Sequence, residues 1–484
     1  MANSVVQRNY LYNIFYQILA IITPIITTPY ISRVLGVSGV GKYNYVYSIA
    51  YIFSLFCWLG TNIYGQREIA YVAHNKEARS KVFFEMLIIK TAAFIISSTL
   101  YVITILVINV DVNLLVLAYF YLIANYVDIS WLYQGLEDFK STVIRNSIVK
   151  IVGVILVFIL VKEEKDVWKY VLILSFTTFV GQLCMWINVP KLICKYDLRA
   201  LSIKGHLKST LILFLPSVAT YVYTSLDKVM LGTIINADEV GFYSQSEKIV
   251  KLAMTLVTSL GVVMLPRMTT LIKEQCWKTI DKYLDKAFRF VFFLSLPMIA
   301  GLIAVSHTFI PWFLGEGYEK SIVLLQILSP IILIIGIASI TGQAVLVPLN
   351  KQTYYTLTIV SGAVVNCFLN FLLIPRFASY GASFATLIAE SIVTILQLLG
   401  IKHLFDYKAA ILNLCKYTMC SVLMLLVVRF IDKILLFQTS TMQLATEIVV
   451  GLSFYILVLI VLRDSFLLEI FKKIYLFIVD RSDR

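Results

Sequence analysis

The sequence predicts an all-α polytopic membrane protein: about fourteen transmembrane helices in two six-helix lobes related by a parallel pseudo-twofold repeat, with helices 13 and 14 appended and both termini cytoplasmic. Three observations carry this. Sixty per cent of the 484 residues are hydrophobic and 14% charged, whereas soluble proteins hold roughly 45–50% apolar and about 25% charged residues. The apolar residues gather in runs of about 20, the length that spans hydrocarbon roughly 30 Å thick. A glycine-rich phrase near the start, "SRVLGVSGVGKYNY", also returns in altered form about 200 residues later.

In order, the apolar runs fall near 10–32, 43–65, 82–108, 113–136, 142–161, 167–189, 209–232, 240–265, 288–310, 322–347, 354–374, 380–401, 410–431 and 444–462. The first and seventh are the most interrupted by polar residues. Helix 1 carries Asn9, Asn13 and Gln17 at four-residue steps, and Pro24 and Pro29 loosen it. That stripe either lines a lumen or glues helix 1 to helix 7. Between helices 8 and 9, "RMTTLIKEQCWKTIDKYLDKAF" sets Met268, Leu271, Ile272, Ile280, Leu284 and Phe288 at helical spacing away from its lysines. It and the tail "SFLLEIFKKIYLFIVDRSDR" fit interfacial helices or connectors that tie down helix ends. The resulting division is 1–200 for helices 1–6, 201–405 for helices 7–12, and 406–484 for helices 13–14 with the tail.

The net charge of +13 does not mark a nucleic-acid surface, because the basic residues sit in short clusters between apolar runs. With the N-terminus inside, Lys and Arg favour the inner loops by roughly three to one, which orients the chain. The outer loops are short. Seven scattered cysteines support neither a disulfide framework nor a metal site. The N-terminal run is too long for a signal-peptide core and reads as a retained span.

The repeat pairs Leu35-Gly36 with Leu231-Gly232, and Val40-Gly41-Lys42-Tyr43 with Val240-Gly241-Phe242-Tyr243. Each copy occupies the outer turn between the first two helices of a half. An offset of six helices, an even number, makes the halves parallel, one of the two repeat symmetries of transporters. Gly36, Gly41 and Lys42 also have P-loop spacing, but Tyr43 stands where that motif needs Ser or Thr and no strand precedes it.

This pattern, together with "WLYQGLEDFK" at 131–140, "GTNIYGQREIA" at 60–70 and "LVPLNKQTYY" at 346–355, resembles Wzx-type oligosaccharide (O-antigen or capsular repeat-unit) flippases. These belong to the multidrug/oligosaccharidyl-lipid/polysaccharide exporter superfamily, and the resemblance spans almost the whole chain. It implies a multi-pass protein of the bacterial inner (cytoplasmic) membrane that moves undecaprenyl-pyrophosphate-linked repeat units to the outer leaflet by alternating access. It implies partners among membrane lipid and the polymerase and other polysaccharide assembly proteins, and no enzymatic activity. The basic pair on helix 1 of the related lipid II flippases has no counterpart here, where Gln17 and Thr23 stand.

Ionisable residues at membrane depth usually face the protein interior and mark function. Here they are Lys90, Asp128, Lys150, Asp227, Lys228, Glu247, Lys248, Lys251 and Glu390. Lys90, Lys150, Lys248 and Lys251, with Asn13 and Gln17, are the substrate-binding residues expected in a cationic central cavity. Asp128, Asp227, Lys228, Glu247 and Glu390 are the charge-pair or coupling residues, and Arg145 and Arg267 sit near the cytoplasmic mouth. The alternative is structural: the carboxylates neutralise the lysines between helices. Glu85 shares a helix with Lys90, whereas the segment of Lys150 holds no acid.

Moving an anion outward down an inside-negative potential gains about 2.3 kcal/mol per charge per 100 mV, so a charged lipid-linked substrate could be exported without ATP, and no cofactor is expected. Proton or sodium coupling through Glu390 or Asp227 stays open. The rival function is a cation-coupled multidrug exporter of the same superfamily, which would want acidic cavity residues. A polysaccharide polymerase or a lipid-linked-sugar transferase would need larger loops with catalytic side chains; the four histidines form no motif.

Overall fold

The computed structural model describes residues 2–108, 111–197, 201–434, 439–469 and 471–473. Regular structure among them is helical throughout, the expected fold class, and eleven segments are long and apolar enough to cross a membrane. Large apolar side chains such as Ile95, Ile96, Leu106 and Val107 on the third helix remain exposed. In water such a surface would be a liability; against lipid it is the normal exterior.

The chain forms two compact units, 1–241 and 242–484. The first begins with α1 (Ala2–Trp58), α2 (Thr61–Tyr71), α3 (Lys76–Ile108), α4 (Val112–Val127) and α5 (Ser130–Gly135). It continues with α6 (Phe139–Leu160), α7 (Val167–Trp186), a single turn α8 (Val189–Leu192) and α9 (Lys204–Ile234). The helix α10 (Ala237–Lys273) runs into the second unit. There follow α11 (Trp277–Leu314), α12 (Glu319–Leu328), α13 (Ile331–Ala338) with a π-helical continuation over Ser339–Leu346, α14 (Gln352–Gly400), α15 (Tyr407–Ile434) and α16 (Ser440–Val461).

Two of these helices are hairpins. The first, α1, breaks at Gly36, whose φ of 63° lies where glycine has no steric penalty. Before the break, Tyr16 reaches Lys150 and Tyr30 reaches the carbonyl of Val161, so the limb 2–35 runs parallel to α6. After it, Gly39 meets Val167 and Tyr43 meets Tyr170, so the limb 37–58 runs parallel to α7. Because α6 and α7 are antiparallel, with Gly181 against Val149 and Gly153 against Thr177, the chain reverses at one residue. Similarly, α14 turns back at Ala378, φ 49°, and its limbs pair Gly362 with Val393 and Thr358 with Gln397.

The doubled glycine phrase meets itself. A Cβ on Gly41 would lie 1.8 Å from the carbonyl oxygen of Ala237, and one on Gly241 would lie 2.4 Å from that of Val37. Position 37 corresponds to 237 as 41 does to 241, so each copy presents its glycine to the other's backbone. Such reciprocity is what a twofold relation produces.

Two elements differ from the sequence expectation. Helix 2 was expected over 43–65 and helix 4 over 113–136; each instead ends early, at Trp58 and Val127, and the family-like stretches after them form the separate short helices α2 and α5. Trp131 of α5 lies on Gly65 of α2, and Gly135 meets the backbone of Gln66, so the two stretches fold as one buried cluster. The amphipathic segment after Pro266 is the continuous end of α10 and start of α11, broken only near Gln275. Its Met268, Leu271, Ile280, Leu284 and Phe288 are buried, as expected of connectors that tie down helix ends. Most of the amphipathic tail, 470 and 474–484, lies outside the described residues.

Candidate functional site

Within the first unit, α6 and α7 and the two limbs of α1 enclose a cavity of about 350 Å³. Lys150 projects from α6, half-buried, its Nζ 5.3 Å from the centre of the Tyr16 ring. That cation–π contact contributes about 0.5–2 kcal/mol. Among the described residues no carboxylate lies within ion-pair distance of Lys150. An ammonium at membrane depth without a counter-charge is costly unless water or an anion in the cavity compensates it.

The rest of the lining is rich in hydroxyls. Tyr43, Tyr47 and Tyr170 join Tyr16, and Asn146 sits one turn before Lys150. Thr23, Thr27, Thr177 and Thr178 also line it, beside Val149, Val154, Val157 and Leu174, and each threonine donates to a carbonyl four residues back at 2.6–2.9 Å. Their protons are thereby engaged within their own helices, and their oxygens are left as acceptors. The cavity therefore offers one strong cationic donor, several acceptors and aromatic faces, which suits a solute bearing both negative charge and hydroxyl groups.

A second cluster joins three other expected residues. Lys90 is 1% exposed and its Nζ donates to the backbone carbonyl of Asp128. The Asp128 carboxylate accepts from the amide and hydroxyl of Ser130, whose oxygen accepts in turn from Arg145 at 3.1 Å. Arg145 also donates to Gln182 and lines a largely apolar groove of about 650 Å³ between α6 and α7. Glu85 does not serve Lys90: it accepts from the Ser202 amide at 2.7 Å and lies 2.9 Å from Nε2 of His206, whose Nδ1 meets Tyr64.

Gln17 is exposed on the first limb of α1; the side chain of Asn13 lies outside the described residues. Asp227 is buried on α9 beside the partly buried Lys228. On α10, Glu247 and Lys251 pair at 2.6 Å with Lys248 half-buried between them, and Arg267 is exposed, 6.0 Å from the Tyr283 ring. Glu390 is buried in the second limb of α14.

A family profile described as "Polysaccharide biosynthesis protein" matches residues 6–272, more than half of the chain. The chain belongs to that family. This polysaccharide biosynthesis protein is 26% identical over 387 residues to a candidate O-antigen transporter of Shigella dysenteriae, an alignment covering 78% of this chain and 96% of the relative. Among solved structures it resembles a lipid II flippase MurJ in an inward closed conformation, with TM-score 0.73 and 16% identity over 94% of this chain and 99% of that one. An inward-facing multidrug transporter of the MATE family matches with TM-score 0.59 and 12% identity, covering 84% and 96%. At such identities the structures speak for the fold alone. The family match takes in both glycine phrases, the Lys150 cavity and the Lys90 cluster, while Glu390 falls beyond it.

The cavity tyrosines were not singled out from the sequence. A signal was present at the end of the glycine phrase and just beyond it: Tyr43 and Tyr47, with Tyr51 one turn further, recur at steps of four, one face of a helix.

Proposed function

We propose that the protein is a flippase for undecaprenyl-pyrophosphate-linked oligosaccharide repeat units, carrying them from the cytoplasmic to the outer leaflet of the bacterial inner membrane for cell-surface polysaccharide assembly. The observation that carries this is Lys150: a lysine without a carboxylate partner among the described residues, in a cavity of hydroxyls and aromatic rings. A pyrophosphate needs compensating positive charge on leaving water, and sugars need hydrogen-bond partners and ring faces. The family match and the transporter relative support the same substrate class.

The proposed topology has fourteen spans: the eleven apolar segments, of which α1 and α14 each cross twice, together with α9. Both termini lie in the cytoplasm. The repeat then comprises 1–200 and 201–405, with 406–484 appended, and alternating access works between those lobes around a cationic cavity. The protein acts on no covalent bond of its substrate, and it passes repeat units to polymerase and other assembly proteins.

The test is reconstitution in proteoliposomes with the lipid-linked repeat unit on one leaflet and an external glycan-modifying enzyme as reporter. Lys150→Ala should slow translocation about tenfold or more at normal protein levels, with Lys150→Arg close to wild type. Wild-type rates in Lys150→Ala would overturn the role of the lysine. No translocation by the wild type, together with export of cationic drugs, would make the protein a multidrug exporter instead.

A further inference from the structure

Six tyrosines form a connected series through the first unit. Tyr170 of α7 lies 4.7 Å, centre to centre, from Tyr43, and Tyr43 lies 5.2 Å from Tyr47. Tyr47 stands 4.4 Å from Tyr121 of α4, which is 6.2 Å from Tyr51, and Tyr51 is 4.4 Å from Tyr221 of α9. Trp58 follows Tyr51 at 6.5 Å. Positions 43, 47, 51 and 58 share one face of the second limb of α1. At 1.5 Å per residue they cover about 22 Å, most of the roughly 30 Å hydrocarbon thickness.

These rings differ from the packed tyrosines of the same protein. Tyr101, Tyr417 and Tyr455 are buried and each hydroxyl is satisfied: by the Leu115 carbonyl at 2.7 Å, by Asp464 at 3.1 Å, and by the Phe293 carbonyl at 3.0 Å. That is the usual condition of a buried tyrosine. Tyr43, Tyr47 and Tyr51 are only half-buried, and their hydroxyls bond to none of the described residues. The upper rings also wall the Lys150 cavity.

From this geometry we infer that the tyrosine series is a sugar track: successive pyranose rings lay their C–H faces on Tyr43, Tyr47, Tyr51 and Trp58 and hydrogen-bond the free hydroxyls as the glycan crosses. The inference rests on the flippase reading and adds to it a path for the saccharide distinct from the lysine that serves the charged group. Aromatic faces suit this task because they accept many sugars without demanding one arrangement of hydroxyls. A row of weak, similar sites also lets a solute advance without being trapped, as conduction requires. Ring spacings of 4.4–6.5 Å keep each sugar within reach of the next ring before it leaves the last.

The experiment compares two substrates in proteoliposomes, undecaprenyl pyrophosphate bearing the full repeat unit and the same lipid bearing a single sugar. The proteins compared are wild type, the double variant Tyr47→Leu/Tyr51→Leu, and the double variant Tyr47→Phe/Tyr51→Phe. The leucine pair should slow the full repeat unit about tenfold more than the single-sugar lipid, because the longer glycan uses more rings. The phenylalanine pair, which keeps the faces, should stay within about threefold of wild type on both. Thermal unfolding in detergent checks that both variants are folded. Equal slowing of both substrates by the leucine pair, or no slowing of either, would overturn the track with the flippase intact. A wild type that moves neither substrate would instead overturn the flippase reading itself.

Discussion

Lys90 and Lys150 are the same side chain at membrane depth in one unit, and the structure treats them in opposite ways. Lys90 is sealed between α3 and the break after α4, its ammonium used on the Asp128 carbonyl beside a carboxylate. Lys150 opens into a cavity whose lining includes tyrosines and threonines, with an aromatic face and no acid beside it among the described residues. The difference teaches that depth alone does not make a lysine functional. What matters is whether the protein has already given the charge a partner.

The largest effect should come from breaking the sealed member. Lys90→Ala removes a buried side chain and leaves the Asp128 carbonyl without its donor, a loss of about 2–4 kcal/mol. Thermal unfolding and membrane protein level should both fall, while transport per folded molecule stays near wild type. A folded, abundant Lys90→Ala that does not transport would place Lys90 beside Lys150 as a substrate residue.

The comparison can be sharpened from the other side by giving Lys150 a carboxylate neighbour. Val154 lines the same cavity one helical turn on. Val154→Glu should slow translocation about tenfold, roughly 1.4 kcal/mol on the barrier, with Val154→Gln as the uncharged control near wild type. Equal rates for Glu and Gln would mean that the free charge of Lys150 is not what the substrate uses.

The smallest effect concerns a third lysine, one that does have an acid. Lys416 donates to Asp464, just beyond α16, which also accepts from the Leu467 amide at 2.9 Å. Burial pushes the Asp464 carboxyl up, but the hydrogen bonds of Lys416 and Leu467 outweigh it and hold it below the ordinary value. A depressed carboxylate stabilises the fold above its unfolded value, about 3.9, and loses that contribution as pH falls through the lower folded value. Wild-type thermal stability should therefore decline below about pH 4 more steeply than that of Asp464→Asn. Parallel profiles would show that this pair carries no pH-linked stability.

Much of this was legible in the chain. The absence of any acid near Lys150 in its own helix was visible, and among the described residues the structure adds none within ion-pair distance from neighbouring elements. The hairpin character of α1 was also visible, though its turn proved to be the single residue Gly36 and not a loop of ten. Other features were hidden because they depend on partners far away in sequence. Glu85 looked like the natural mate of Lys90, five residues along one helix, yet His206 and Ser202, more than 100 residues on, hold it. The stretches around Gly65 and Trp131 each read as the end of a span, and only their mutual packing makes them a separate buried cluster. Nor could the spacing of Tyr43, Tyr47 and Tyr51 reveal that Tyr121, Tyr170 and Tyr221 complete their series from three other helices.

By itself the sequence determined that this protein lives in a membrane, roughly where its apolar spans fall, and which charges it carries to depth. Those properties are sums along the chain, since each residue's transfer into hydrocarbon and each turn's rise add locally. The tertiary structure alone decided which charge is paired and which is open, and where the glycine phrases meet. A charge's partner, or the backbone a missing Cβ lets in, comes from another helix, and helices adjacent in space need not be adjacent in sequence.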